Sequence, residues 1–169
     1  NTSQGESKML KRGSTILSKK LYKLTLGGGV AFWAANFAIS RTPIAAEYRA
    51  ALSISYLPML VESLIGGLII GFIVSYSLLR FFDKLPTKNP ILKSVILSFI
   101  VLIIVTILLG VPASFLTPSD ALRYFLIGAL FNVIRIPALG IVIGYLYKRL
   151  YKGFNPSAIA LLPTKVDMN

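Results

Sequence analysis

Two ionisable side chains, Glu62 and Arg135, lie inside stretches that are otherwise apolar. A charged residue in the middle of a membrane span costs about 2.5–3.5 kcal/mol on insertion scales, and such residues usually bind ions, protons or substrates. A carboxylate there can hold a proton or a cation, and a guanidinium can hold an anion. Two amides accompany them, since Asn132 lies one helical turn before Arg135 and Asn36 lies at a comparable predicted depth. These four residues form the predicted polar site.

An ion pair between Glu62 and Arg135 is geometrically possible, because the two charges are opposite and lie on helices predicted to run in the same direction. Such a pair either fixes the register of the helices or belongs to a binding site, and both alternatives stay open. For Asn36 and Asn132, a hydrogen bond between helices is expected rather than contact with a ligand.

The residues that are missing exclude several kinds of chemistry. The chain has no Cys and no His. It therefore has no disulfide, no thiolate or imidazole metal site and no catalytic triad with a His base. Glu62 is the only carboxylate inside an apolar stretch, so general acid–base chemistry by a carboxylate pair is also disfavoured. The sequence predicts no catalytic residue, no metal site and no cofactor.

The elements that position these residues are predicted to be transmembrane helices. Of 169 residues, 55% are hydrophobic and 14% are charged, against roughly 25% charged in soluble proteins. A bilayer core about 30 Å thick needs about 20 helical residues to cross it. Four stretches are long enough, which predicts an all-α, polytopic membrane protein, a bundle of about four transmembrane helices with spans at about 21–40, 50–79, 91–111 and 122–147. Pro58 and Pro137 predict kinks in the second and fourth spans.

The basic residues predict the orientation of these spans. They cluster before the first span, between the second and third, and after the fourth, and the other two loops hold few. The positive-inside rule predicts a multi-pass protein of the cell membrane with both termini in the cytoplasm. The predicted domains are a basic cytoplasmic or interfacial segment (1–20), a transmembrane domain (21–152) and a cytoplasmic tail (153–169).

The net charge of +12 predicts that the chain contacts an anionic partner. The basic residues flank apolar spans, so we expect them to meet the lipid bilayer, with its anionic headgroups at the cytoplasmic face. No nucleic acid is expected, because no segment is long enough to form a soluble basic domain.

Glycine pairs follow both intramembrane charges at the same offsets. Gly67 and Gly71 follow Glu62, and Gly140 and Gly144 follow Arg135. Such small-xxx-small pairs let helices approach closely, within the chain or against another copy. The repetition also indicates a faint parallel duplication of two helical hairpins.

These features favour a non-enzymatic membrane subunit or scaffold that packs against partners or itself, as a homo-oligomer or within a larger membrane complex. The alternative is a small oligomeric transporter or channel that uses Glu62 with Arg135.

Overall fold

The computed structural model describes residues 2–116 and 121–151 and, within them, the side chains at 15, 17–108 and 122–150. Across these residues the chain is helical and contains no strand, so the all-α prediction is confirmed. The elements are α1 (Thr2–Ser40), α2 (Pro43–Ala51), α3 (Tyr56–Phe81), a 3₁₀ turn (Phe82–Lys84), α4 (Pro90–Leu116) and α5 (Ala121–Tyr151). The predicted tail at 153–169 lies outside the described residues.

Three stretches of the described chain are long and apolar enough to cross a membrane. They are Tyr56–Lys84 on α3, Pro90–Leu108 on α4 and Leu122–Leu150 on α5. Helix α1, which contains the predicted span 21–40, is not among them. It is nevertheless one continuous helix of 39 residues, and it runs without a break through Gly27, Gly28 and Gly29.

Helix α1 packs between α3 and α5, and α4 packs mainly on α5. The hydroxyl oxygens of Ser40 and Tyr56 lie 3.4 Å apart, where α1 ends and α3 begins. Further along, a Cβ on Gly67 would lie 3.1 Å from the carbonyl oxygen of Gly29, so α1 and α3 are antiparallel. Helix α5 runs antiparallel to α1, because Gly28 lies against Ile143 and Asn36 contacts Arg135. It also runs antiparallel to α4, because Gly144 lies against Ile91 and Gly140 against Ser94, so the four long helices alternate in direction along the chain.

The predicted second span, 50–79, is two helices in the structure. Helix α2 ends at Ala51, Ser53 has a left-handed φ of 53°, and α3 begins at Tyr56. A left-handed residue breaks a helix, so residues 50–55 form the end of α2 and a turn. Pro58 lies in the first turn of α3, where its missing N–H costs nothing, so no kink is required there. Pro137, in contrast, lies inside α5.

The structure places all four glycines of the two predicted pairs where helices meet inside the chain. A Cβ on Gly71 would lie 3.0 Å from the carbonyl oxygen of Thr25 on α1. A Cβ on Gly144 would lie 2.5 Å from the Cα of Ile91 on α4, and one on Gly140 would lie 3.2 Å from the carbonyl oxygen of Ser94. Each pair thus packs against the long helix that precedes it, which lets the two backbones approach.

Lys93 is buried, with 4% of its surface exposed, although its charge placed it in a predicted cytoplasmic cluster. Its ammonium donates to the carbonyl oxygen of Phe82 and lies 3.7 Å from the centre of the Phe82 ring. That ring stacks on Tyr147 at 4.8 Å. Lys93 therefore joins α4 to the end of α3 and, through Phe82, to α5.

A matched pair of glycine substitutions tests the packing between α4 and α5. Gly144→Ala places a methyl group against backbone atoms, which cannot move aside as a flexible side chain does. We expect it to lower the free energy of unfolding by about 1–3 kcal/mol. The measurement is unfolding in mixed micelles, followed by the fluorescence of Trp33, the only Trp in the chain.

The control is Gly66→Ala, because a Cβ on Gly66 would meet nothing within 4 Å. We expect it to leave stability unchanged or to raise it by up to about 1 kcal/mol, since Ala favours helix over Gly. Equal losses from the two substitutions would contradict the packing described.

Candidate functional site

Arg135 lies on α5 and is held by side chains of two helices. Its Nη1 donates to Oδ1 of Asn36 on α1 at 2.6 Å, and its Nη2 donates to Oδ1 of Asn132 on α5 at 2.7 Å. Its Nε donates to the carbonyl oxygen of Phe131 at 3.2 Å. The guanidinium also lies over the ring of Phe32, 5.1 Å from its centre. The structure therefore brings together three of the four predicted polar residues.

These contacts hydrogen-bond the guanidinium without neutralising it. All three acceptors are neutral oxygens, and no ion pair among the described residues joins Arg135 to a carboxylate. A buried charge is tolerated when its donors are satisfied, and an aromatic face adds attraction for a cation. The arrangement thus keeps a net positive charge inside the bundle.

Helix α2 covers the end of the bundle near Arg135. Thr42 caps α2 by accepting from the Ala45 N–H at 3.3 Å, and Pro43 sits at its first turn, where proline is favoured. The Nη1 of Arg49 donates to the carbonyl oxygen of Ser40 at 3.0 Å. Glu47 pairs with Arg123 at the start of α5. These contacts tie α2 to both α1 and α5.

Tyr48 lies on α2 and packs against α5. Its ring packs edge-on against Phe131 at 5.6 Å and Tyr124 at 6.2 Å. A Cβ on Gly128 would lie 3.0 Å from its hydroxyl oxygen, so the glycine makes room for that group. Burial raises the pKa of Tyr48, and the positive charge of Arg135 opposes this rise. The hydroxyl therefore keeps its proton at neutral pH.

A cavity of about 80 Å³ lies between α2 and the bundle. We call it the α2 cavity. Its polar lining comprises Asn36, Ser40, Tyr48, Arg49 and Arg135, and its apolar lining includes Met59. The amide nitrogen of Asn36 is buried and has no partner among the described residues.

Glu62 lies elsewhere, and no described ion pair joins it to Arg135. It is exposed on α3, whereas Ser63, Gly67 and Gly71 on the same helix are buried. At 100° per residue, this puts Glu62 on the side of α3 almost opposite to its packed face. Although the same glycine spacing follows both charges, Glu62 therefore points away from the bundle whereas Arg135 points into it.

Sequence reasoning missed Tyr48 and Arg49, which complete the polar lining of the α2 cavity. Both precede the predicted second span, 50–79, and so fall in a predicted loop. The signal that could have found them is the N-terminal motif Thr42-Pro43, which predicts a separate helix start. No group of three potential metal-ligating side chains lies together in the described chain.

No family model matches this chain, and no curated protein or solved structure is detectably similar to it. Its described part is nevertheless a helical bundle in which three helices are long and apolar enough to span a membrane, which suggests a membrane protein.

Two double-mutant cycles distinguish the partner of Arg135. Asn36→Leu and Arg135→Gln remove two groups in contact, so we expect a coupling of about 1–3 kcal/mol in the free energy of unfolding. Glu62→Gln and Arg135→Gln remove two groups that form no ion pair, so we expect a coupling below about 0.5 kcal/mol. Both cycles are measured by unfolding in mixed micelles. A larger coupling to Glu62 than to Asn36 would show that Glu62 is the partner in solution.

Proposed function

We propose that the chain is a non-enzymatic subunit of the cell membrane, with four spans and both termini in the cytoplasm. Three spans are supported by the length and composition of α3, α4 and α5. The fourth is supported by α1, whose buried residues Leu24, Phe32, Asn36 and Ile39 pack inside the bundle. Four antiparallel helices return the chain to the side on which it began.

The distribution of charge supports this orientation. Lys19, Lys20 and Lys23 lie on the part of α1 far from α2, and Arg80, Lys84, Lys148 and Arg149 lie at the same end of the bundle. By the positive-inside rule that end faces the cytoplasm, and the α2 cavity lies at the opposite end of the bundle.

Cysteine labelling tests the orientation, because the chain has no native Cys. Ile44 on α2 and Lys88 in the turn before α4 are both exposed. In intact cells, a membrane-impermeant maleimide should label Ile44→Cys and should label Lys88→Cys only after lysis. Labelling of Lys88→Cys in intact cells would contradict this orientation and indicate the opposite one.

The observation that supports a subunit is the surface of α3 around Glu62. We call Glu62, Ile65, Gly66, Ile69 and Ile73 the Glu62 face. Ile65 is 53% exposed and Ile69 is 56% exposed. A Cβ on Gly66 would meet nothing within 4 Å, so this position leaves a shallow gap beside the carboxylate.

A carboxylate on this face needs a partner if α3 crosses the membrane. Glu62 is six residues beyond Tyr56, about 9 Å along the helix. In a hydrocarbon core about 30 Å thick and centred on the 29-residue stretch Tyr56–Lys84, this depth lies just inside the outer boundary. A lone carboxylate facing lipid is costly, and an opposite charge on a neighbouring helix offsets that cost. The proposed occupant is therefore a transmembrane helix of another protein that carries Lys or Arg at this depth.

A second copy of the chain fits the Glu62 face less well. A twofold axis along the membrane normal would bring two Glu62 carboxylates together, and like charges at short range disfavour each other's ionised form. Arg135, the intramembrane residue of opposite charge, is directed into the bundle toward Asn36 and is not available to pair with Glu62 of a second copy.

The test uses synthetic transmembrane helices of leucine and alanine, one with a single Arg at the depth of Glu62 and a matched one with Leu instead. Association with the chain is measured by energy transfer in phosphatidylcholine vesicles, through a label on Lys88→Cys. We expect the Arg helix to bind about tenfold tighter, equivalent to about 1.4 kcal/mol. Glu62→Leu should abolish this preference, and Gly66→Ile should weaken binding of both helices by filling the gap.

Glu47→Gln is the control, since Glu47 is a carboxylate on α2 outside the Glu62 face. It should leave the preference unchanged. Equal binding of the two helices, or a preference that survives Glu62→Leu, would overturn the proposal. Self-association of the chain that disappears in Glu62→Leu would identify a second copy as the occupant instead.

The second candidate function is a small oligomeric transporter or channel that uses Glu62 with Arg135. It is supported by the carboxylate of Glu62, which can bind a proton or a cation, and by the α2 cavity beside Arg135, which can hold an anion. This function predicts proton or cation flux into liposomes that Glu62→Gln abolishes while the fold is retained. Flux equal to that of protein-free liposomes would leave the subunit as the better proposal.

A further inference from the structure

We infer that the α2 cavity is a binding site for a small oxyanion, the phosphate or carboxylate group of a ligand that enters beneath α2. This inference is independent of assembly through the Glu62 face, which lies on the opposite side of α3 from its packed surface.

The polar groups that line the α2 cavity are mainly donors. Arg135 and Arg49 each carry N–H groups beyond those used in their described hydrogen bonds, since a guanidinium has five. Tyr48 contributes a hydroxyl that is protonated at neutral pH. The amide oxygens of Asn36 and Asn132 each accept one N–H of Arg135. The remaining N–H groups of Arg135 stay available to a ligand.

The charge of the α2 cavity also favours an anion. Its lining contains two arginines and no Asp or Glu. The ion pair of Glu47 with Arg123 is exposed, and its two charges cancel each other. A guanidinium in a partly buried site binds carboxylate or phosphate through parallel hydrogen bonds, and these are stronger than hydrogen bonds between neutral groups.

Asn36 supplies the independent observation. Only 4% of its surface is exposed, and its Nδ2 has no hydrogen-bond partner among the described residues. Leaving such a buried donor unpaired costs about 1–3 kcal/mol. The oxygen of the same amide is fixed by Arg135 at 2.6 Å, which fixes where the nitrogen points. Asn36 lines the α2 cavity, so an oxyanion beside Arg135 would lie next to this amide.

The size of the cavity limits the ligand. A volume of about 80 Å³ corresponds to two or three water molecules at about 30 Å³ each. This is enough for one phosphate or carboxylate group, and any larger part of the ligand must remain outside the bundle. Two sources offer such a group, namely a free small anion and the headgroup of an anionic lipid in the adjacent leaflet.

The experiment measures the thermal unfolding of the full chain in a detergent without phosphate. Sodium phosphate is titrated against sodium chloride at matched ionic strength, and sodium acetate supplies a carboxylate. At tenfold excess over its dissociation constant, phosphate should raise the Tm by about 3–5 °C. Chloride should not reproduce this shift.

Variants locate the effect in the cavity. Tyr48→Phe keeps the ring contacts and removes one donor, and Arg49→Gln removes one charge. Each should weaken phosphate binding about tenfold, as expected for the loss of a hydrogen bond to a charged group. Arg123→Gln is the matched control, because Arg123 is an exposed arginine at the same end of the bundle outside the cavity, and it should leave binding unchanged.

The two sources are distinguished in vesicles of phosphatidylcholine with and without phosphatidylglycerol. A headgroup ligand is indicated if phosphatidylglycerol raises the Tm only when Tyr48 is intact and removes the effect of free phosphate. A free anion is indicated if phosphate acts equally in both. A shift equal to that of chloride, or one retained in both Tyr48→Phe and Arg49→Gln, would overturn the oxyanion site.

Discussion

The fold depends on keeping one charge, that of Arg135, inside a helical bundle without a carboxylate beside it. Two amide oxygens and a backbone carbonyl satisfy three of its N–H groups, and the ring of Phe32 covers one face. Asn36 and Phe32 both belong to α1, so the solvation of Arg135 joins α1 to α5. This explains why α1, the least apolar of the long helices, has a place inside the bundle.

The close approach of the helices supports the same arrangement. Gly28 faces Ile143 and Leu139 on α5, and Gly29 lies against Leu68 on α3. A helix with side chains at these positions would stand further from both neighbours. Asn36 would then lie too far from Arg135 to accept a hydrogen bond, so the glycines of α1 determine the geometry of the polar site as well as the packing.

Hydrophobic length and charge distribution were enough to predict the helical architecture and to select Arg135, Asn132 and Asn36. They could not predict the direction in which Glu62 points, because a charged residue in an apolar stretch gives no information about which face of its helix is packed. The start of α3 was also missed, since the turn before it (52–55) contains no charged residue, Gly or Pro and the break depends on the φ of Ser53. Tyr48 and Arg49 line the site because this turn separates α2 from α3.

The length of α1 has a mechanical consequence. Thirty-nine residues in one helix extend about 58 Å, nearly twice the thickness of a bilayer core. Contacts with α3 and α5 brace its glycine segment, so the helix cannot bend freely there. Because α1 would then move as one rigid body, a small tilt of the end that carries Asn36 would displace its opposite end, which lies beyond the hydrocarbon.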